Sequence, residues 1–115
     1  MQEFVEELYR QVDRKNVEYL DQVLGDDIRF CIGNNPIISD KNEVLIANKN
    51  FFHSIAKMTH NITNILIDGT QVSCNGRVDY VRLDGSGFSA VFSTALKIDG
   101  HKITEYLVFA DLSGL

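Results

Sequence analysis

An apolar stripe with helical spacing runs through the first residues of the chain. In residues 2–14 it consists of Phe4, Val5, Leu8, Tyr9 and Val12. Charged residues lie opposite, so the pattern predicts an amphipathic helix. A second, short helix is predicted over residues 17–24, because Asn16 is a favourable N-cap and Gly25 a favourable terminator.

The next segment changes to a period of two. Residues 27–34 alternate apolar and polar positions, and the apolar positions are Ile28, Phe30 and Ile32. This alternation predicts a strand that the only proline, Pro36, closes. Asn34 continues the phase of the apolar positions and is therefore expected on the same face.

A capping box precedes the third helix. Asp40 is followed three residues later by Glu43, and this pair typically satisfies backbone N–H groups where a helix begins. The helix is predicted over residues 41–58. Its apolar face consists of Val44, Ala47, Phe51, Ile55 and Met58.

The second half of the chain has β character. Four alternating segments cover residues 60–68, 71–83, 88–98 and 102–112, and an Asp-Gly pair separates each from the next. Asp-Gly between alternating segments is a strong hairpin signal, so the segments predict an antiparallel meander. Helices followed by a meander predict an α+β fold, with helices packed on one face of a curved sheet. The helices and the curved sheet would together enclose a cone, and the open end of the cone would suit a small apolar ligand.

Composition narrows the classes of partner. With 115 residues, the chain is expected to form one domain over residues 1–115. A net charge of −5 and a pI near 5.0 argue against nucleic acid as a partner. Two cysteines, an acidic N-terminal helix and short apolar runs predict a soluble cytoplasmic protein without membrane association.

Asp111 is the first candidate for chemistry. It shares the phase of Ile103, Leu107 and Phe109 on the last predicted strand. A carboxylate among apolar side chains is desolvated, which raises its pKa and suits a general acid or base. The alternative is that the sheet ends before residue 111 and that Asp111 is solvated.

Arg77 and Asp79 share one face of their predicted strand, and that face has a polar pattern. Val78 and Tyr80 carry the apolar phase. The pattern therefore favours a surface ion pair over a catalytic one. A β-bulge near Gly76 would reverse the two faces.

Histidines, cysteines and metal motifs add one further candidate. His60 lies at the start of the meander and is a possible proton shuttle, although a capping or packing role is the commoner one. No spacing of His, Cys, Asp or Glu indicates a metal site, and no motif indicates a bound cofactor. We therefore expect neither a metal nor a cofactor.

Three short motifs resemble the SnoaL-like branch of the nuclear-transport-factor-2-like superfamily. They are His-Asn-Ile-Thr-Asn from His60, Tyr-Val-Arg-Leu-Asp-Gly from Tyr80, and the run from Gly100 to Asp111 with Glu105-Tyr106 at its centre. The resemblance implies a cone-shaped α+β fold, a pocket for a small apolar or polycyclic ligand, and a homodimer formed through the outer sheet face. Because members include cyclases, isomerases, epoxide hydrolases and scaffold proteins, the fold does not define the activity.

Arg77, Asp79 and Asp111 also resemble the Arg-x-Asp…Asp pattern of limonene epoxide hydrolases. That resemblance implies that Asp111 activates a water, Asp79 protonates the epoxide oxygen and Arg77 orients both carboxylates. Asn34 matches the water-binding Asn of those enzymes, whereas Ile32 occupies the position of their Tyr.

Two other subgroups imply different roles. Asp111 matches the acid–base Asp of the cyclases, with His60 as a possible partner, and Tyr9 could correspond to the oxyanion-binding Tyr of steroid isomerases. The leading hypothesis is a small-molecule enzyme that uses acid–base chemistry with Asp111 as the principal group, either a cyclase or isomerase or an epoxide hydrolase. The alternative is a non-catalytic ligand-binding or assembly module.

Overall fold

Three helices and five strands make up the computed structural model, which describes all 115 residues. In chain order they are α1 (Gln2–Asp13), α2 (Val17–Val23), β1 (Leu24–Ile32), α3 (Lys41–His53), β2 (Ile55–Asp68), β3 (Gln71–Arg82), β4 (Gly87–Asp99) and β5 (Lys102–Phe109). The predicted α+β class is confirmed. None of the three helices combines the length and apolar character needed to cross a membrane.

The sheet has the strand order β1-β5-β4-β3-β2. Strands β2 to β5 form the predicted antiparallel meander. Gly69, Gly85 and Gly100 have positive φ in the three Asp-Gly turns, a conformation that glycine adopts without steric cost. β1 joins the other edge of the meander by pairing in parallel with β5, an arrangement that the local pattern does not reveal.

The core lies between the helices and the concave face of the sheet. On α1 it includes Val5, Leu8, Tyr9 and Val12, as the helical stripe predicts. Each of α2, α3 and the five strands also contributes buried apolar side chains. Asn16 caps α2 as predicted, since its side chain accepts a hydrogen bond from the Tyr19 N–H at 3.1 Å.

The third helix is shorter than its apolar spacing predicts. It begins after Asp40 as expected, although the Asp40 side chain makes no capping hydrogen bond, and it ends at His53. Ile55 and Met58 belong to β2 and are both buried. A β-bulge between Ile55 and Lys57 lets two residues three apart face the same side of a strand. This bulge produces the spacing of a helix within a strand, and the prediction of helix to residue 58 is therefore wrong.

Candidate functional site

A carboxylate–imidazole pair joins the end of α1 to the inner face of β2. The Nδ1 atom of His60 lies 2.5 Å from Oδ1 of Asp13. The backbone N–H of His60 donates to Oδ2 of the same carboxylate at 2.9 Å. Because an ionised carboxylate only accepts hydrogen bonds, Nδ1 carries the proton and Nε2 is left unprotonated in the neutral ring. The pair thus orients a histidine whose Nε2 can accept a proton.

Aromatic packing fixes the imidazole further. Its ring centroid lies 4.9 Å from that of Tyr9 and 5.2 Å from that of Phe92, the latter edge to face. Only 12% of the His60 side chain and 22% of the Asp13 side chain are exposed. A histidine held on two sides and hydrogen-bonded on a third has little freedom to leave this geometry.

His60 borders a small void inside the cone, of about 40 Å³. Asn48, Tyr80 and Tyr106 add polar atoms to its otherwise apolar lining. Burial raises the pKa of Tyr80 to about 12, with a smaller contribution from the charge of Asp13. Burial also raises the pKa of Tyr106 above its ordinary value. Both phenols are therefore neutral at physiological pH, so each can donate a hydrogen bond.

A much larger cavity, of about 730 Å³, lies at the mouth of the cone. Its wall is mainly apolar and comes from the end of β1, α3, the turn after β3 and the residues after β5. The mouth cavity and the void share four lining residues, which are Phe30, Ile32, Phe51 and Leu112. These four side chains separate the mouth cavity from the void beside His60.

The charged groups of the mouth cavity are engaged with the protein itself. Arg82 donates to Oγ of Ser86 and to the carbonyls of Gly87 and Gly114 at 2.8–3.1 Å. Asp84 accepts hydrogen bonds from the hydroxyl and N–H of Ser86, which lower its pKa. Both charged side chains thus stabilise the turn after β3 through these hydrogen bonds.

Asp111 is not buried, which corrects the prediction of a desolvated carboxylate. β5 has a bulge at Thr104, because Ile103 pairs with Ile98 but Glu105 already pairs with Lys97. Beyond the bulge the inner phase passes to Tyr106 and Val108, and the sheet ends at Phe109. Asp111 is exposed, and hydrogen bonds from the hydroxyl and N–H of Ser113 lower its pKa.

Arg77 and Asp79 lie on the outer face of β3, where they form an ion pair of 3.6 Å with both side chains about half exposed. Asp79 also accepts hydrogen bonds from Ser89 and Asn61. The bulge near Gly76 exists, but it lies in β2 at Thr63 and leaves the phase of β3 unchanged. The predicted group of Arg77, Asp79 and Asp111 is therefore not brought together within the cone.

The remaining candidates lie in different parts of the structure. Asn34 is exposed in the turn after β1, because the strand ends at Ile32 rather than continuing through it. Tyr9 is buried beside Thr94 and Cys74, its hydroxyl completes no hydrogen bond, and burial raises its pKa well above the usual value. Tyr9 supports the ring of His60 but does not line the void. Among these candidates only His60 lines the void, and His60 and Tyr9 both line a second cavity of about 490 Å³.

Sequence reasoning missed the groups that accompany His60. Asp13 follows Tyr9 by four residues, the spacing that places two side chains on one side of a helix. Tyr80 and Tyr106 lie in the inner phases of β3 and β5, where a hydroxyl stands out among aliphatic residues. The signal that could have identified these residues is a side chain with a polar end group at a position of the strand that is otherwise apolar.

Comparison with known structures shows the same fold in several proteins of low sequence identity. A proposed SnoaL-like polyketide cyclase from Jannaschia sp. CCS1 superimposes with a TM-score of 0.83 at 15% identity, over 97% of this chain and 85% of that one. An LEH-like epoxide hydrolase from M. tuberculosis gives 0.83 at 15%, over 96% and 78%. A protein with a ketosteroid-isomerase-like fold from Catenulispora acidiphila DSM 44928, in complex with trimethylamine, gives 0.86 at 16%, over 96% and 87%.

These likenesses establish the fold and leave the activity open, because unrelated chemistries share it. No functionally curated protein matches the chain in sequence. Residues 5–106 match the family model of the SnoaL-like domain, and the chain therefore belongs to the SnoaL-like family.

Proposed function

We propose that the protein is a small-molecule enzyme that performs acid–base chemistry with the Asp13–His60 pair, in the manner of a polyketide cyclase or isomerase. The observation that carries this proposal is the two-point contact between the Asp13 carboxylate and His60 at the wall of an apolar interior. Membership of the SnoaL-like family and the likeness to a proposed polyketide cyclase are consistent with it.

The chemistry begins with proton abstraction. Nε2 of His60 takes a proton from a carbon next to a carbonyl group, and the electron pair of the broken C–H bond forms an enolate. The Asp13 carboxylate stabilises the resulting imidazolium through Nδ1. Tyr80 or Tyr106 donates a hydrogen bond to the enolate oxygen. In a β,γ-unsaturated ketone, return of the proton to the γ carbon of the dienolate gives isomerisation. In ring closure the enolate carbon attacks a second carbonyl group, and His60 returns its proton to the alkoxide that forms.

The mouth cavity supports an apolar and uncharged ligand. Arg82 and Asp84 are the charged residues in its wall, and both are engaged by hydrogen bonds to the protein. A phosphate or carboxylate on the ligand would find no free cation there, and burying an unpaired charge is costly. This accords with the predicted small apolar or polycyclic ligand.

The test is proton exchange in β-tetralone, an uncharged bicyclic ketone with acidic protons next to its carbonyl. In deuterium oxide, the rate of exchange is followed by NMR with and without the protein. We expect His60→Gln to lower the catalysed rate about 10²–10⁴-fold, the usual contribution of a general base. His53→Gln is the matched control, because His53 is exposed on α3. Equal rates for the two variants would contradict the proposal.

A ligand-binding or assembly module is the second candidate. The observation that favours it is the size of the interior void, about 40 Å³ beside His60, because side chains fill most of the cone. In this case Asp13 and His60 would only tie α1 to β2. The module predicts that β-tetralone binds to the wild type and to His60→Gln equally, with no exchange in either.

We also propose a homodimer through the outer face of the sheet. Val91 and Phe109 on this face are 71% and 59% exposed, and the pairing of Phe109 with Ser93 places the two side chains diagonally across β4 and β5. Exposed neighbouring apolar side chains are typical of interaction sites. Analytical ultracentrifugation of Phe109→Glu should show monomer where the wild type shows dimer. Leu83→Glu is the control, since Leu83 is as exposed but lies at the mouth. A wild-type monomer would refute this part.

A reducing compartment such as the cytoplasm is the setting we propose. Cys31 and Cys74 are both free thiols, and burial raises the pKa of Cys74 to about 11, which keeps it protonated and unreactive. Free thiols are typical of reducing compartments. Localisation of a tagged chain by fractionation tests this, and recovery from an oxidising compartment would contradict it.

A further inference from the structure

Leu112 stands between the two cavities of the cone. Its side chain lines the mouth cavity and also the void beside His60. The void holds about 40 Å³, which is room for water, whereas a cavity that binds benzene measures about 150 Å³. In this arrangement an organic ligand can fill the mouth cavity but cannot pass from it into the void beside His60.

The segment that carries Leu112, residues 110–115, has few attachments. It follows the last paired residue of β5, Phe109, and forms no further ladder with the sheet. Arg82 donates a hydrogen bond to the carbonyl of Gly114 at 2.8 Å. Leu112 and Leu115 pack against the core only in part.

A close contact at Gly114 completes the attachment. A Cβ atom placed on Gly114 would lie 2.7 Å from Cε1 of Phe88, so a side chain at this position would displace either the segment or the ring. The guanidinium of Arg82 covers the same ring at 5.4 Å from its centroid. Arg82 and Phe88 therefore form a clamp on Gly114.

We propose that Leu112 determines the size of ligand that passes from the mouth cavity into the void beside His60, and that residues 110–115 move aside to admit it. The Arg82–Phe88 clamp on Gly114 holds the closed arrangement. One side chain–backbone hydrogen bond and partial apolar packing are weak enough to be broken and remade during ligand entry. The importance of reaching the void beside His60 rests on the proposed function. That Leu112 blocks the way from the mouth cavity to this void is a property of the fold alone.

Met58 provides a specific reporter for the experiment. The chain has two methionines; Met58 is buried and lines the void, and Met1 is exposed. With ¹³C-methyl methionine, the shift of Met58 reports a ligand in the interior and that of Met1 serves as the reference. Naphthalene is the probe, because it is apolar, rigid and too large for the void.

We expect Leu112→Ala to shift the Met58 methyl at naphthalene concentrations about tenfold lower than the wild type requires, a change that corresponds to a tenfold tighter dissociation constant. Leu83→Ala is the matched control: it loses the same atoms from the mouth cavity, but Leu83 does not line the void. Gly114→Ala should act like Leu112→Ala, because the added methyl group disrupts the contact between the segment and Phe88.

The same titration of Met58 in Leu112→Ala and in the wild type would overturn the proposal, and so would an equal effect of Leu83→Ala. If Leu112→Ala does not fold, Gly114→Ala decides by the same criterion. In His60→Gln, naphthalene should shift the Met58 methyl at the same concentrations as in the wild type. Absence of catalysed proton exchange in the wild type and in every variant, with the Met58 result as expected, would refute the proposed function but not the role of Leu112.

Discussion

Val78 and Asp79 are neighbours on β3, yet they face opposite environments. Val78 is 1% exposed within the cone, while Asp79 lies on the outer face with Arg77. The outer face is rich in polar side chains that hydrogen-bond to one another, as Asp79 does with Ser89 and Asn61. The inner face is apolar except for isolated groups such as His60 and Tyr80. A charge pattern therefore locates the solvated face, and a single polar residue among apolar ones locates the interior.

The largest expected effect is at Gly76, opposite the bulge of β2. A Cβ atom on this glycine would lie 2.2 Å from the carbonyl oxygen of Asn61, so the backbone of one strand would have to move. We expect Gly76→Ala to lower the free energy of unfolding by about 3 kcal/mol or more, as overpacking against rigid groups does. Urea unfolding measures this, with Gly87→Ala as the control because its nearest contact is 3.9 Å. Equal stability of the two variants would contradict the close approach of the two strands at Gly76.

Two valines test the contrast between the faces directly. Val78 and Val91 lie on adjacent strands, one buried and one 71% exposed. We expect Val78→Ala to lose about 2 kcal/mol of unfolding free energy, from two buried methyl groups and the resulting cavity. At low protein concentration Val91→Ala should change stability by less than ~0.5 kcal/mol. Similar losses would mean that both faces are covered even in the monomer.

The tyrosines give a pH-dependent version of the same comparison. Tyr80 has a pKa of about 12 in the fold against about 10 in an unfolded chain. The folded state therefore holds its proton more tightly, and this contribution to stability is complete below pH 10 and lost as the pH rises through about 12. Tyr80→Phe should flatten the loss of stability in this range. An unchanged slope would contradict the burial of the phenol.

The smallest effect is expected for the outer ion pair. Arg77 and Asp79 are 3.6 Å apart and about half exposed, and such pairs contribute about 0–1 kcal/mol. Arg77→Ala should leave the unfolding free energy within ~0.5 kcal/mol of the wild type and leave β-tetralone exchange unchanged. Loss of exchange would contradict the placement of Arg77 outside the reacting site.

The elements and their order were predictable because their signals are local. The apolar stripe of α1, the N-cap Asn16 and the three Asp-Gly turns each depend on a few neighbouring residues. The parallel pairing of β1 with β5 joins residues 76 to 79 positions apart and leaves no mark in the local pattern.

Bulges limited the prediction of the site. One inserted residue reverses every later side chain on a strand, and this happens at Thr104 in β5. Asp111 consequently moved from the predicted apolar face to solvent. The contact of Asp13 with His60 spans 47 positions, so proximity of these two residues required the fold.

The central claim is that the reacting base lies inside the cone, at His60, and not at Asp111. The most direct measurement compares β-tetralone proton exchange by His60→Gln and Asp111→Asn in one experiment, with folding checked by NMR. Our account predicts a rate lowered about 10²–10⁴-fold for His60→Gln and a wild-type rate for Asp111→Asn. A rate lost in Asp111→Asn and retained in His60→Gln would contradict it.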